Sequence, residues 1–327
     1  MSITTDNPMG TDGFSFVEYA TPNPQLLDQQ FRQLGFVPVA AHRHKSLTCY
    51  AQGDIKFIVN THAGSHAEKF AKAHGPSACG MGFKVADAQY AYDRALKLGA
   101  KAFLGAELSL PAIEGIGGSV LYFVDDKREH NLFHHELHAH DSNLNQVTGA
   151  GLMLIDHLTH NVERGRMDHW ADFYTKLFNF SQIRYFDIKG QQTGLISRAM
   201  GSPCGKIKIP LNESTDDKSQ IEEFIDQFKG EGIQHIALST EDIFNSVESL
   251  RERGISFMDV PDTYYEMIED RLPAHGEDLA RMHKNYILID GNTRQSPKKI
   301  LLQIFTNTML GPVFYEIIQR KGDEGFG

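Results

Sequence analysis

The chain has 327 residues, enough for two domains with their own cores, and its 41% hydrophobic and 23% charged residues are the balance of a globular protein. A formal net charge of −10 excludes a general nucleic-acid binder, which needs a basic stripe. No segment has the apolar length to cross a membrane, and the start MSITTDNPMGTDGF lacks the basic and apolar runs of a secretory signal. Cys49, Cys79 and Cys204 are too scattered for a disulfide framework, so a cytoplasmic setting is expected.

Read in order, the chain repeats one unit four times: an extended apolar segment, an amphipathic helix that stops at Gly or Asn, then further short strands. The first copy, FVEYATPNPQLLDQQFRQLGF, starts its helix at Pro24, aligns Leu27, Phe31 and Leu34 on one face and stops at Gly35. In the second, GMGFKVADAQYAYDRALKLGAKAF, Asp87 is the cap, Ala88, Ala91, Ala95 and Leu98 form the stripe, and Gly99 is the stop. The third, IDHLTHNVERGRMDHWADFYTKLFNF, carries Trp170, Phe173, Tyr174, Leu177 and Phe178 at helical spacing and closes at Asn179. The fourth, IQHIALSTEDIFNSVESLRERGISF, is expected to cap at Thr240, pack Ile243, Val247 and Leu250, and stop at Gly254. KFIVN, SVLYFVDD, KIKIPLN, LLQIF and VFYEII read as strands. One such unit cannot bury both faces of its sheet. Pairing them gives an α+β protein of two domains, residues 1–145 and 146–327, joined in the polar stretch HAHDSNLNQVTGAGL.

Glu316 is a lone carboxylate in the apolar, β-branched and aromatic last strand. Such a group is costly to bury unless it is paired or binds a metal. His157 in IDHLTH and His235 in IQHIAL occupy the same kind of setting. Two imidazoles and one carboxylate make the facial triad of a non-haem Fe(II) site with open positions. Counting back from the helix stops, Gly80 and Phe16 match the histidine positions in the first two units, so the first domain reads as a metal-less copy.

A single strand histidine is most often structural; two at matching repeat positions beside an unexplained carboxylate favour a site. HNLFHHELHAH, residues 130–140, reads as a solvated connector. His160, at an odd offset from His157, points to the other face of its strand. No GxGxxG follows a strand, and neither GxxxxGK[ST] nor GxSxG occurs, so nucleotide binding and Ser–His–Asp hydrolysis find no support.

With these residues in view, the sequence resembles the bacterial 4-hydroxyphenylpyruvate dioxygenases, two-domain members of the vicinal oxygen chelate superfamily built from βαβββ modules. The resemblance runs from about Phe14 to the last residue and rests on GRMDHWADFY, GKIKIPLNE, GIQHIALST, PDTYYE, LLQIFT and EIIQRKGDEGFG. It implies His157, His235 and Glu316 as Fe(II) ligands. It also implies a substrate pocket with Ser197, Asn212, Gln220, Gln234 and Gln303 as polar lining, Phe305 and Phe314 as aromatic wall, and Phe326 near the mouth. Gln220 and Asn212 have a competing role in satisfying loops and carry less weight than Gln234, Gln303 and Phe305. Relatives continue past GDEGFG into a short stretch and a helix that closes the pocket, whereas this sequence stops at Gly327: either it is a shortened piece or the closing helix is lost, which bears on turnover rather than on iron binding.

The implied reaction takes 4-hydroxyphenylpyruvate and O2 to homogentisate and CO2, by oxidative decarboxylation, ring hydroxylation and side-chain migration, in tyrosine breakdown. Three protein donors on one side of the metal leave room for the two oxygens of a 2-oxo acid and for O2. A homodimer or homotetramer, joined through the first domain, is implied as well. The nearest rival is hydroxymandelate synthase, which differs around Phe305 and PLNE. An extradiol ring-cleaving dioxygenase is disfavoured by the QRKGDEGFG tail, and a metal-free binding protein of the same fold by the intact triad.

Overall fold

The computed structural model describes residues 2–139, 147–189 and 194–326. The proposed division between residues 145 and 146 lies outside the described residues. Four units fold as expected and pair into two eight-stranded sheets. The first half runs β1 (Phe14–Ala20), α1 (Pro24–Gln33), β2 (Val37–His42), β3 (Leu47–Gln52), β4 (Ile55–Asn60), α2 (His66–His74), β5 (Ser77–Lys84), α3 (Ala88–Lys97), β6 (Ala112–Glu114), β7 (Val120–Val124), α4 (Asp126–Asn131) and β8 (Leu137–Ala139). The second runs β9 (Leu152–Val162), α5 (Met167–Phe178), β10 (Ser181–Lys189), β11 (Gly194–Gly201), β12 (Lys208–Ser214), α6 (Gln220–Phe228), β13 (Gly232–Thr240) and α7 (Ile243–Glu252). Three short helices (Asp262–Glu266, Ile268–Arg271, Leu279–Asn285) then lead to β14 (Leu288–Asn292), β15 (Lys299–Phe305) and β16 (Phe314–Lys321). The sheet orders are β6-β7-β5-β1-β4-β3-β2-β8 and β10-β11-β12-β9-β13-β16-β15-β14. In both, the two leading strands lie antiparallel at the centre with a parallel strand on either side: β4-β1-β5-β7 matches β12-β9-β13-β16. The repeat is therefore structural as well as sequential.

The punctuation residues act largely as their chemistry predicts. Asn23 caps α1 by accepting from the Leu26 N–H, Asp87 caps α3 by accepting from Tyr90, and Asn179 ends α5 in the left-handed conformation at φ 59°. Thr240 is not the cap of α7; Asp242 is, because its carboxylate reaches the Asn245 N–H. Thr240 instead accepts from the Asp242 N–H and bonds the Ser246 hydroxyl. Helices α2 and α6 fall outside the sequence reading. They are short, are capped by Ser65 and Ser219, and bury few apolar side chains. The 130–139 stretch is a correction too. It continues α4 into a wide turn and β8, burying Leu132, Phe133 and Leu137 while His130, His134 and His135 stay exposed.

Two differently filled interiors follow from the two halves. The cupped face of the first sheet is packed solid with Phe16, Ile58, Val120, Tyr122, Leu132, Phe133 and Leu137. Inside the second sheet, among the described residues, the buried apolar cluster is Ala237, Leu301 and Ile318. The opposite faces of both sheets share one core, in which Phe83 meets Phe178 edge-on at 5.3 Å and the Tyr315 hydroxyl lies 3.2 Å from that of Tyr19. Among the described residues, no helix is long and apolar enough to cross a membrane.

The packed first interior buries the carboxylate of Glu18 on β1, and that of Glu107 stands beside it, accepting from Asn60 Nδ2 at 3.2 Å. Glu18 accepts from Asn60 Nδ2 at 2.8 Å and meets the Tyr122 hydroxyl at 2.7 Å. Its neighbour across the ladder is Gly80, where an added Cβ would come within 2.9 Å of the carboxylate. Burial, offset only in part by these hydrogen bonds, raises the Glu18 pKa from 4.5 to about 7. The folded state therefore holds a proton that the unfolded chain releases near pH 4.5. Stability from this group is present at low pH and is lost as pH rises to about 7, by about 3 kcal/mol. Glu18→Gln is expected to remove that loss. Urea denaturation at pH 5 and pH 8 should show the variant gaining on the native chain by that amount; a pH-independent difference would refute it.

Candidate metal centre

The second interior places its titratable side chains by strand register. Lys208, His157, Ala237, Glu316 and Phe305 are successive cross-strand partners on β12, β9, β13, β16 and β15. His235, two residues before Ala237, is cross-strand from Thr159 on one side and from Phe314 on the other. Period-two alternation therefore turns His157, His235 and Glu316 onto one face of three adjacent strands. His157 Nε2 lies 3.0 Å and His235 Nε2 3.3 Å from Glu316 Oε2, and one donor atom from each residue falls within 4.8 Å of the others. All three residues are buried.

The electrostatics are those of a cluster built around positive charge. Burial opposes charge on Glu316, but the two imidazoles outweigh it and hold the carboxyl at about 2. Burial likewise works against charge on His157, yet Glu316 and Asp156 raise its pKa to about 9. His235 goes the other way: burial lowers it despite Glu316. The group is thus one buried carboxylate balanced by one proton. A divalent ion can take that proton's place, since metal ligation needs deprotonated imidazoles. Two nitrogens and one carboxylate oxygen in a buried setting fit Fe(II) and its neighbours in the first transition row.

Around the cluster stand most of the residues marked from sequence. Phe314 stacks on the His235 ring (4.9 Å, 22°), Phe305 stands edge-on to both at 6.1 Å, and Phe326 stands edge-on to His157 at 5.1 Å. Gln234 bonds His235 Nδ1 through Oε1 at 3.0 Å and sits at a β-bulge that separates it from the regular ladder. Ser197 and Asn212 are cross-strand partners on β11 and β12, and Gln303 lies two residues before Phe305 on β15; all three are half-buried. Gln220 is set apart: it is exposed on the first turn of α6, behind its Ser219 cap. His160 faces the opposite side, as its odd offset requires, and bonds the Tyr174 hydroxyl of α5 at 2.7 Å.

Three participants were not singled out from sequence. Asp156 accepts from His157 Nδ1 at 2.8 Å, and Arg320 grips that carboxylate at 2.7 and 2.8 Å. Both are legible in hindsight as polar residues flanking proposed ligands, in IDH and EIIQR. Asn161, at an even offset from His157 and cross-strand from Asn212, is fully buried with neither end of its amide partnered. A buried amide of this kind calls for a ligand or water partner.

A curled pair of mixed sheets with a buried two-histidine, one-carboxylate group on one concave face defines a glyoxalase-like, vicinal oxygen chelate protein. Family models agree: residues 5–142 match "Hydroxyphenylpyruvate dioxygenase, HPPD, N-terminal", and residues 154–268 match the Glyoxalase/Bleomycin resistance protein/Dioxygenase superfamily. The chain is 57% identical to a 4-hydroxyphenylpyruvate dioxygenase of Legionella pneumophila, over 99% of this chain and 93% of that protein. It is 54% identical to Hemolysin VllY of Vibrio vulnificus, over 98% and 92%. Among solved structures, a mutant of 4-hydroxymandelate synthase from Streptomyces coelicolor superposes with a TM-score of 0.83 at 25% identity, covering 97% of this chain and 95% of that one. The chain belongs to the 4-hydroxyphenylpyruvate dioxygenase family.

If the triad is the metal site, Glu316→Ala should weaken Fe(II) retention by more than the roughly 100-fold loss that follows removal of a partner outside the ligand set. Circular dichroism should remain native. Stoichiometric iron in this variant after gel filtration would refute the assignment.

Proposed function

We propose that this chain converts 4-hydroxyphenylpyruvate and O2 to homogentisate and CO2, with Fe(II) held by His157, His235 and Glu316. The observation that carries the reading is the buried His–His–Glu group walled by Phe305, Phe314 and Phe326, in a chain 57% identical to a named 4-hydroxyphenylpyruvate dioxygenase. When bound, the iron supplies Lewis acidity and electrons for O2.

The protein's own part is binding, orientation and exclusion of water. Two neutral imidazoles and one carboxylate leave a divalent site with net positive charge, suited to the anionic oxo acid. Phe305 and Phe314 offer faces and edges against which the phenol ring can stack. Ser197, Asn212, Gln220, Gln234 and Gln303 are the candidates to orient the phenol hydroxyl or the oxo acid by hydrogen bonds. Asn161 joins them on the strength of its unpartnered amide. Among the described residues, the first domain, residues 1–145 on this reading, offers no group of metal donors, and apolar side chains cluster on its concave face. It is left to scaffold and assemble a homodimer or homotetramer. A cytoplasmic role in tyrosine breakdown completes the proposal.

The test is anaerobic loading with Fe(II) and 4-hydroxyphenylpyruvate followed by O2, with gas uptake and product identified. One homogentisate and one CO2 per O2 is the expected result. Hydroxymandelate would move the chain to the synthase that shares its fold. Binding of the oxo acid with no O2 uptake would leave a ligand-binding module.

A further inference from the structure

We infer that Arg320 is a positioning residue that couples the seating of the 323–326 tail to the orientation of His157. The inference rests on reading His157 as a metal ligand. Arg320 follows Glu316 by one helical-looking spacing but lies on a strand, so it emerges on the same concave face as Phe314, Glu316 and Ile318. Its guanidinium is used on two sides. One edge makes a paired grip on Asp156, Nε to Oδ2 at 2.7 Å and Nη2 to Oδ1 at 2.8 Å. The other edge donates from Nη1 to two tail carbonyls, Asp323 at 3.0 Å and Gly325 at 2.7 Å. Its plane also lies over the Phe326 ring, 5.6 Å from the centroid.

Both halves of this grip converge on one imidazole. Asp156 holds His157 Nδ1 at 2.8 Å, which fixes the ring and leaves Nε2 directed at Glu316. Phe326 stands edge-on against the same ring. A second tether reaches the tail from the other side: Glu324 pairs with Lys208 at 2.9 Å, and Lys208 is the cross-strand partner of His157. The guanidinium and the carboxylate it grips are almost fully buried, at 10% and 8% side-chain exposure, so neither can exchange its partner for water without cost. A planar fork can satisfy carboxylate and carbonyls together, which an ammonium cannot. Seating the tail therefore tightens the hold on Asp156 and through it on the ligand ring. By reciprocity, a metal that orders His157 stabilises the seated tail.

The experiment measures Co(II) affinity and tail hydrogen exchange in the metal-free and Co(II)-loaded full chain, for native protein, Arg320→Gln, Arg320→Lys and Phe326→Ala. In the native protein Co(II) should slow exchange of the tail amides. Arg320→Gln should lose that response and bind Co(II) roughly 10–100-fold more weakly, the range for partners that orient a ligand. Arg320→Lys keeps the charge without the fork and should fail to restore either property. Native Co(II) affinity in Arg320→Gln, or tail exchange in the native protein that ignores the metal, would overturn the inference. If Arg320→Gln does not fold, Phe326→Ala decides: weaker Co(II) binding supports the coupling and native binding refutes it. A native chain that binds no Co(II), or binds it equally after His157→Ala, would instead show that the metal-site reading has failed.

Discussion

A carboxylate buried in a β-strand between two imidazoles is the constraint on which the rest of this molecule turns. Glu316 cannot be desolvated alone, and the 3.0 and 3.3 Å approaches of His157 and His235 are what make its burial tolerable. Those approaches need three strands in one register, and the register needs the whole second sheet. The same chain solves the same difficulty differently at Glu18. There the partners are an amide and a phenol, and burial, with the like charge of Glu107 beside it, keeps a proton on the carboxyl up to about pH 7. Two copies of one fold thus show two ways to bury an acid, and only the one with opposing charge leaves room for a cation.

Much of this was legible in the sequence, for physical reasons that can be named. Helix stops at Gly35, Gly99 and Asn179 require positive φ, which few residues adopt, so they mark ends reliably. His157, His235 and Glu316 stood out because polar groups in apolar strands are expensive. What sequence left hidden depends on three-dimensional contact. Thr240 and Asp242 are both good caps, and only the backbone path decides which one reaches an open N–H. Leu132 and Phe133 looked like part of a polar connector because the neighbouring histidines dominate the local composition. Their burial comes from the distant β2 edge that β8 joins. Asp156 and Arg320 are 164 positions apart in sequence. No local pattern announces that pairing.

The contrast between the two interiors also explains where chemistry can occur. In the first sheet Phe16, Tyr122, Phe133 and their neighbours fill the concavity, and Gly80 is held to the size of a hydrogen atom by Glu18. In the second, the corresponding space is lined by half-buried amides and aromatic edges over a small apolar cluster. A lining of that composition can orient a ring and a polar head at once.

The contact between Tyr315 and Tyr19 has a further meaning. Tyr315 precedes Glu316, so on a pleated strand the two point to opposite sides, Glu316 toward the two histidines and Tyr315 toward Tyr19 of β1. The first half is therefore the anvil against which the strand that carries Glu316 is set. One half of a duplicated fold can be indispensable to the other, because it fixes where its twin's carboxylate sits. Variation in the first half would then be felt as a shift in the spacing of His157, His235 and Glu316, with none of the three having changed.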